Sequence, residues 1–239
     1  MTDRKTELAA NLAQVEERIA SACAAAGRER SDVTLIVVTK TYPASDVRLL
    51  HELGVRHVAE NRDQDAAPKA AACADLDLSW HFVGQLQTNK VRSVASYADT
   101  VQSVDRARLI ASLSTAAVRA ERELGCLIQV ALDAESGERG ERGGVAPGGI
   151  GELAALLEKA PGLRLDGLMT VAPLAGGYAG RQRAAFERLL ELSSRLRADH
   201  PAANMVSAGM SADLEEAVAA GATHVRVGTA VLGDRPRLG

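Results

Sequence analysis

Two hydrophobic rhythms alternate along this chain. Near its start Leu8, Leu12, Val15, Ile19 and Ala22 recur at helical spacing, which predicts an amphipathic helix over about residues 6–26 with Gly27 as its stop. Residues 33–39 then run apolar and rich in β-branched side chains, the pattern of a buried strand, and Pro43 closes the segment. The same pairing repeats to the end. Further strands are predicted at 55–59, 80–84, 100–104, 126–132, 163–169, 204–206 and 223–227, and helices at 44–53, 61–74, after Thr88, and at 105–124, 150–159, 178–199 and 212–220. Eight strands alternating with helices over short connections predict a parallel sheet with helices outside, closed into a (β/α)8 barrel with an extra N-terminal helix. An open doubly wound sheet is the alternative. No linker or low-complexity tract divides residues 1–239, which read as one domain.

Composition narrows the class. The 239 residues are 46% hydrophobic but only 3% aromatic, so the core must rest on Ala, Leu and Val. A net charge of −3 with interspersed Lys and Arg gives no argument for nucleic acid or membrane surfaces. Cys23, Cys73 and Cys126 are widely spaced and form no CxxC pair, so neither a disulfide framework nor a zinc site is indicated. No leader-like or membrane-length apolar stretch is present, and no large apolar stripe is left over; the expectation is a cytoplasmic monomer.

Candidate chemistry collects after the strands. Lys40 lies at the carboxyl end of the first strand, where α/β folds gather ligand chemistry and where poor solvation favours a neutral, nucleophilic amine. Its ordinary alternative is a lysine snorkelling into water. After the seventh strand comes Ser207-Ala208-Gly209-Met210-Ser211, and after the eighth Gly228-Thr229, at the positions where barrels frequently hold phosphate on glycine backbone, hydroxyls and helix N-termini. Ser211 as a helix cap and Gly228 as a turn residue are the plain alternatives. Arg226 sits one residue inside the end of the last strand. It cannot neutralise itself, so it needs an acceptor, either a carboxylate or an unprotonated heterocyclic nitrogen. Lysine, phosphate cradle and arginine together point to pyridoxal 5′-phosphate held as a Schiff base.

Val38-Thr39-Lys40-Thr41, Glu60-Asn61, the Trp80-to-Lys90 segment, Gly167-Leu168-Met169, Ser207-to-Ser211 and Arg226-Val227-Gly228-Thr229 resemble, in order, the motifs of the pyridoxal phosphate homeostasis proteins. That family shares the fold-type III TIM barrel of alanine racemase. The resemblance implies Lys40 as the Schiff-base lysine, Arg226 facing the pyridine nitrogen, and Ser207, Ser211, Gly228 and Thr229 around the phosphate. It places Asn61 near the ring and Met210 near the phosphate loop. An arginine opposite the ring nitrogen disfavours a pyridinium and tempers carbanion chemistry.

The chain departs from the family pattern in three places. Val58-Ala59 stands for the usual Phe-Gly and Arg62 for the usual Tyr; Ala208 replaces a methionine; and Arg142, within the expanded segment 138–144, takes the place of a lysine after strand five. Alanine racemase adds a β-rich domain that contributes a catalytic tyrosine, whereas this chain ends at Gly239 just after the barrel. The implied role is therefore to buffer or deliver the cofactor, with pyridoxal phosphate-dependent apo-enzymes as recipients and no turnover. The alternative is an amino-acid racemase with Lys40 as one base and Tyr42 near the cofactor. His81 reads as structural, His224 as facing core or helices, and His51, His57 and His200 as surface residues; Asp133 and Glu135 show no metal-ligand pattern.

Overall fold

The computed structural model describes residues 3–136, 143–174 and 176–233. Eight strands close into one barrel: β1 (Thr34–Val38), β2 (His57–Glu60), β3 (Ser79–Phe82), β4 (Thr100–Val104), β5 (Leu124–Gln129), β6 (Leu163–Met169), β7 (Met205–Ser207) and β8 (His224–Val227). Every neighbouring pair is parallel, and β8 returns to β1 with Ile36 opposite Arg226 and Val37 opposite Val227. The helices are α1 (Arg4–Ala25), α2 (Ala44–Glu52), α3 (Asp63–Ala72), α4 (Val91–Tyr97), α5 (Ala107–Arg119), α6 (Ile150–Glu158), α7 (Gln182–Asp199), α8 (Leu214–Ala220) and the short α9 (Thr229–Leu232).

The barrel forms because its strands are buried on both faces, polar side chains such as His81, Gln102 and Arg226 included, while each helix has one apolar stripe. With few aromatics, the largest fully buried side chains are Phe82, Phe186 and a set of leucines and isoleucines. Each such residue contributes about 1.5–3 kcal/mol on burial. The extra helix α1 buries Leu8, Leu12, Val15, Ile19 and Cys23. Its polar side chains hold the loops beyond β7 and β8: Arg18 donates to the Ser211 carbonyl at 3.0 Å and to Glu215 at 2.6 Å, and Asn11 donates to the Val231 carbonyl at 3.1 Å. That helix is thus a brace for the rim.

Several boundaries differ from expectation, β5 for example ending at Gln129 and α8 beginning at Leu214. Helix α5 ends at Arg119 and β5 begins at Leu124, because Glu121 takes a left-handed conformation (φ 51°) and stops the helix without a glycine. Strand β2 begins at His57, since Val55 N–H still donates to the Leu50 carbonyl at 3.0 Å in the turn that ends α2. Helix α7 begins at Gln182, after a 3-10 turn over Gly176–Tyr178. Helix α3 is confined to Asp63–Ala72. Among the described residues no helix is long and apolar enough to cross a membrane.

Candidate functional site

The carboxyl ends of β1, β7 and β8 converge. Lys40 lies two residues past β1, half-buried, in a turn closed by the Tyr42 N–H on the Thr39 carbonyl at 3.1 Å. The next residue, Thr41, has φ 71°, a conformation that costs a β-branched residue about 1–2 kcal/mol. Strain is therefore stored beside the lysine. Gly228 closes on the same strand end: a Cβ there would lie 3.3 Å from the Val38 carbonyl oxygen. Beyond it the Thr229 hydroxyl donates to Ser211 Oγ at 3.3 Å, and the Ala230 N–H reaches the same oxygen at 3.4 Å. The turn between β7 and α8 needs Gly209, whose φ is +89° and whose absent Cβ would fall 2.5 Å from Ala217 Cβ. The Gly209 carbonyl accepts from the Arg226 N–H at 2.9 Å. Met210 is exposed, and its N–H donates to Asp213 Oδ1 at 2.6 Å.

Arg226 is only 4% exposed. Its Nη1 donates to Ser207 Oγ at 2.6 Å and its Nη2 to the Thr170 carbonyl at 2.8 Å. Both partners are neutral. Burial pulls the guanidinium down to about 10, an effect that Asp213 opposes, so it keeps its charge at neutral pH. Ser207, wholly buried, donates in turn to Gln102 Oε1 at 2.7 Å. Its hydroxyl thus braces Arg226 from inside the barrel, while Ser211 and Thr229 form the hydroxyl pair on the rim.

A second buried cation lies beside Lys40. Lys69 of α3 is 7% exposed and its Nζ donates to Glu60 Oε1 at 2.5 Å and to the Thr39 carbonyl at 2.8 Å. The Thr39 hydroxyl donates to the same Glu60 oxygen at 2.6 Å. Glu60 Oε2 is buried without a hydrogen-bond partner among the described residues. This cluster ties the ends of β1 and β2 together directly before Lys40. Lys69 escaped the sequence reading; its one signal is that it shares the helical face of the buried Ala66 and Ala70.

Asn61 follows Glu60 and lies against Gly84, where any Cβ would sit 2.0 Å from the Asn61 carbonyl oxygen. It helps line a cavity of about 330 Å³ with Arg62, Phe82, Gln85 and Lys90. Arg62, the departure from an expected tyrosine, is thus one of the residues lining this cavity.

Three expectations need correction, the first being Ser207, which stands inside the barrel against Arg226 and Gln102 and not with the rim hydroxyls around a phosphate. His57 is not a plain surface residue: its Nδ1 lies 3.1 Å from His81 Nε2, and burial lowers its pKa. His81, 3% exposed, is held down to about 3, mainly by burial. Tyr42 is 6% exposed, and its hydroxyl donates to the Gly233 carbonyl at 2.8 Å, with Arg4 stacked 5.7 Å from the ring centre. Its phenol is committed away from a role as a second base. His224 is half-buried, its Nδ1 2.8 Å from Thr223 Oγ1. Asp133 is buried and accepts from the Ala134 N–H at 3.1 Å. Among the described residues no His, Cys, Asp or Glu group could hold a metal ion. Arg142 lies outside the described residues, as does most of segment 138–144.

Comparison with known proteins gives a consistent result. The model of the family described as alanine racemase, N-terminal domain, matches residues 10–236. The chain is 42% identical over 249 residues to the pyridoxal phosphate homeostasis protein of Mycobacterium leprae, covering 97% of this chain and 94% of that one. To the protein of the same name from Pseudomonas aeruginosa it is 41% identical over 228 residues, with 95% and 96% covered. Among solved structures, PipY of Synechococcus elongatus with PLP bound is similar at TM-score 0.77 and 34% identity, covering 92% of this chain and 100% of that one.

Proposed function

This chain belongs to the family of pyridoxal phosphate homeostasis proteins, built on the alanine racemase N-terminal domain, and from that premise we propose that it binds pyridoxal 5′-phosphate and buffers or delivers it without turning over a substrate. The observation that carries the reading is Arg226: a buried, charged guanidinium whose two observed side-chain bonds go to neutral acceptors. Such a group leaves N–H donors for an uncharged ring nitrogen and holds that nitrogen unprotonated. The donor set fits the cofactor at its other end as well, since the Ser211 and Thr229 hydroxyls stand together beside Gly228.

In this reading Lys40 anchors the cofactor through a Schiff base. Arg226 faces the ring nitrogen, Ser211, Gly228 and Thr229 surround the phosphate with Met210 beside them, Asn61 lies near the ring, and Ser207 acts through Arg226. The bound cofactor supplies an electrophilic aldehyde, and the chain's residues keep it sequestered. Racemisation needs a second proton carrier opposite the lysine. Tyr42 is unsuited, its hydroxyl being spent on Gly233. Apo-enzymes that use the same cofactor are the recipients. Exposed large apolar residues are scattered (Val118, Leu156, Leu174, Leu190, Met210), which fits a monomer, and three buried free thiols suit a cytoplasmic setting.

Titrating the protein with pyridoxal 5′-phosphate while following visible absorbance tests the binding. A saturable band that is lost in Lys40→Ala is the expected result. Incubation of the loaded protein with L- and D-alanine tests the absence of turnover; optical purity is expected to stay constant, and sustained Lys40-dependent racemisation would contradict the carrier reading.

A further inference from the structure

One polar string crosses the barrel interior. It runs from Arg226 on β8 to Ser207 on β7, across to Gln102 on β4, then to His81 on β3 and His57 on β2, with links of 2.6, 2.7, 3.1 and 3.1 Å. Arg226, Ser207, Gln102 and His81 are all buried. The chemistry of its members fixes the direction of every link. A guanidinium only donates, so Ser207 Oγ accepts from Arg226 and must place its own proton elsewhere. Gln102 Oε1 accepts the hydrogen bond from that hydroxyl, which turns the Gln102 amide nitrogen toward His81. An amide nitrogen only donates, so His81 Nδ1 must be bare and its proton must sit on Nε2, aimed at His57 Nδ1. Each group therefore donates away from Arg226, and both histidines are neutral.

We propose that Gln102 and His81 are positioning residues for the cofactor's ring nitrogen, acting through Ser207 to fix the plane of the Arg226 guanidinium. The inference rests on the cofactor reading above and adds to it the residues that aim the arginine. Two fixed points orient a planar fork, and here they are Ser207 Oγ on Nη1 and the Thr170 carbonyl on Nη2. Thr170 is held as well, its hydroxyl donating to the Val130 carbonyl at 2.8 Å. Ser207, by contrast, has a rotatable hydroxyl, and only the Gln102–His81 limb settles where it points. Without an acceptor on His81, the Gln102 amide is free to turn over. Its nitrogen would then face Ser207 Oγ, and the Ser207 proton would lose its buried acceptor. Burial holds His81 down to about 3, so its ring is neutral at neutral pH, and the Gln102 amide donor then leaves Nδ1 as the bare nitrogen.

The test joins histidine nitrogen NMR on the wild-type protein to cofactor spectroscopy on variants. In the wild type, His81 is expected to show a bare Nδ1 and a protonated Nε2; a protonated Nδ1 overturns the proposal without any variant. Wild type, His81→Leu, Gln102→Met and His81→Asn are then loaded with ring-¹⁵N pyridoxal 5′-phosphate. His81→Leu and Gln102→Met are expected to shift the ring-nitrogen signal and weaken binding about tenfold, whereas His81→Asn, which keeps an acceptor for Gln102, restores both. A ring signal unchanged in His81→Leu and Gln102→Met, with the cofactor bound, overturns it. If the wild type itself takes up no cofactor, the functional reading fails instead, and the histidine spectrum still reports whether the string runs in the direction given.

Discussion

Two cations are buried at the same end of this barrel, and they are solved in opposite ways. Lys69 is matched by a carboxylate: Glu60 and the Thr39 backbone surround it, and the cluster locks β1 to β2. Arg226 is matched by a hydroxyl and a backbone carbonyl, and among the described residues it forms no ion pair. The first arrangement is electrostatically closed. The second holds a charge in place without neutralising it, which is unfavourable for folding alone and becomes useful when a ligand brings the missing acceptor. One end of the barrel thus carries an ion-paired cation beside Lys40 and a buried cation with neutral partners, which the proposed function assigns to the ligand.

The largest effect is expected from opening the closed cluster. Glu60→Ala leaves Lys69 buried without its counter-charge and should cost about 3–5 kcal/mol in urea unfolding. The double variant Glu60→Leu/Lys69→Met should recover most of that loss, because it removes both charges; equal damage in both variants would mean that the pair is not closed. Acidification probes the other side. His81 and His224 titrate near 3 and 4 in the folded chain against 6.5 when unfolded, mainly through burial. The unfolded chain then binds more protons below pH 6.5, so stability falls as pH drops from there toward 4. Between pH 6 and 5 the loss should be about 2 kcal/mol for the two histidines together, at roughly 1.4 kcal/mol per unit each. His81→Leu should halve that slope, as measured by unfolding at each pH. Arg226→Leu should alter fold stability less than Glu60→Ala does. It should weaken cofactor binding tenfold to a hundredfold by absorbance titration, a change of about 1.4–2.7 kcal/mol.

Much of this rim was legible in the residue order, and the reasons are physical. Strand ends are marked by where apolar runs stop, so the residue order alone puts Lys40 and Gly228 at one end of the barrel. Boundaries failed where the usual punctuation was missing: Glu121 ends α5 in a conformation that sequence signals assign to glycine. The interior polar residues were harder. Gln102 lies in a run that reads simply as strand, and its partner Ser207 is more than a hundred residues away, so only barrel closure brings them together. Lys69 and Glu60 are close in sequence but belong to a helix and a strand end, and no periodicity announces that they meet. Ser207 shows the same limit: it shares a motif with Ser211, yet one points into the barrel and the other lies on the rim.

Lys40 as the covalent anchor, with Lys69 held in its ion pair, is tested most directly by fixing the cofactor with borohydride and mapping the modified peptide. The account predicts one pyridoxyl group on Lys40, absent from Lys40→Ala, with Lys69 and Lys90 unmodified at stoichiometric cofactor. A fixed group on Lys69 or Lys90 in the wild type, or a Lys40→Ala variant that retains full labelling, would contradict it.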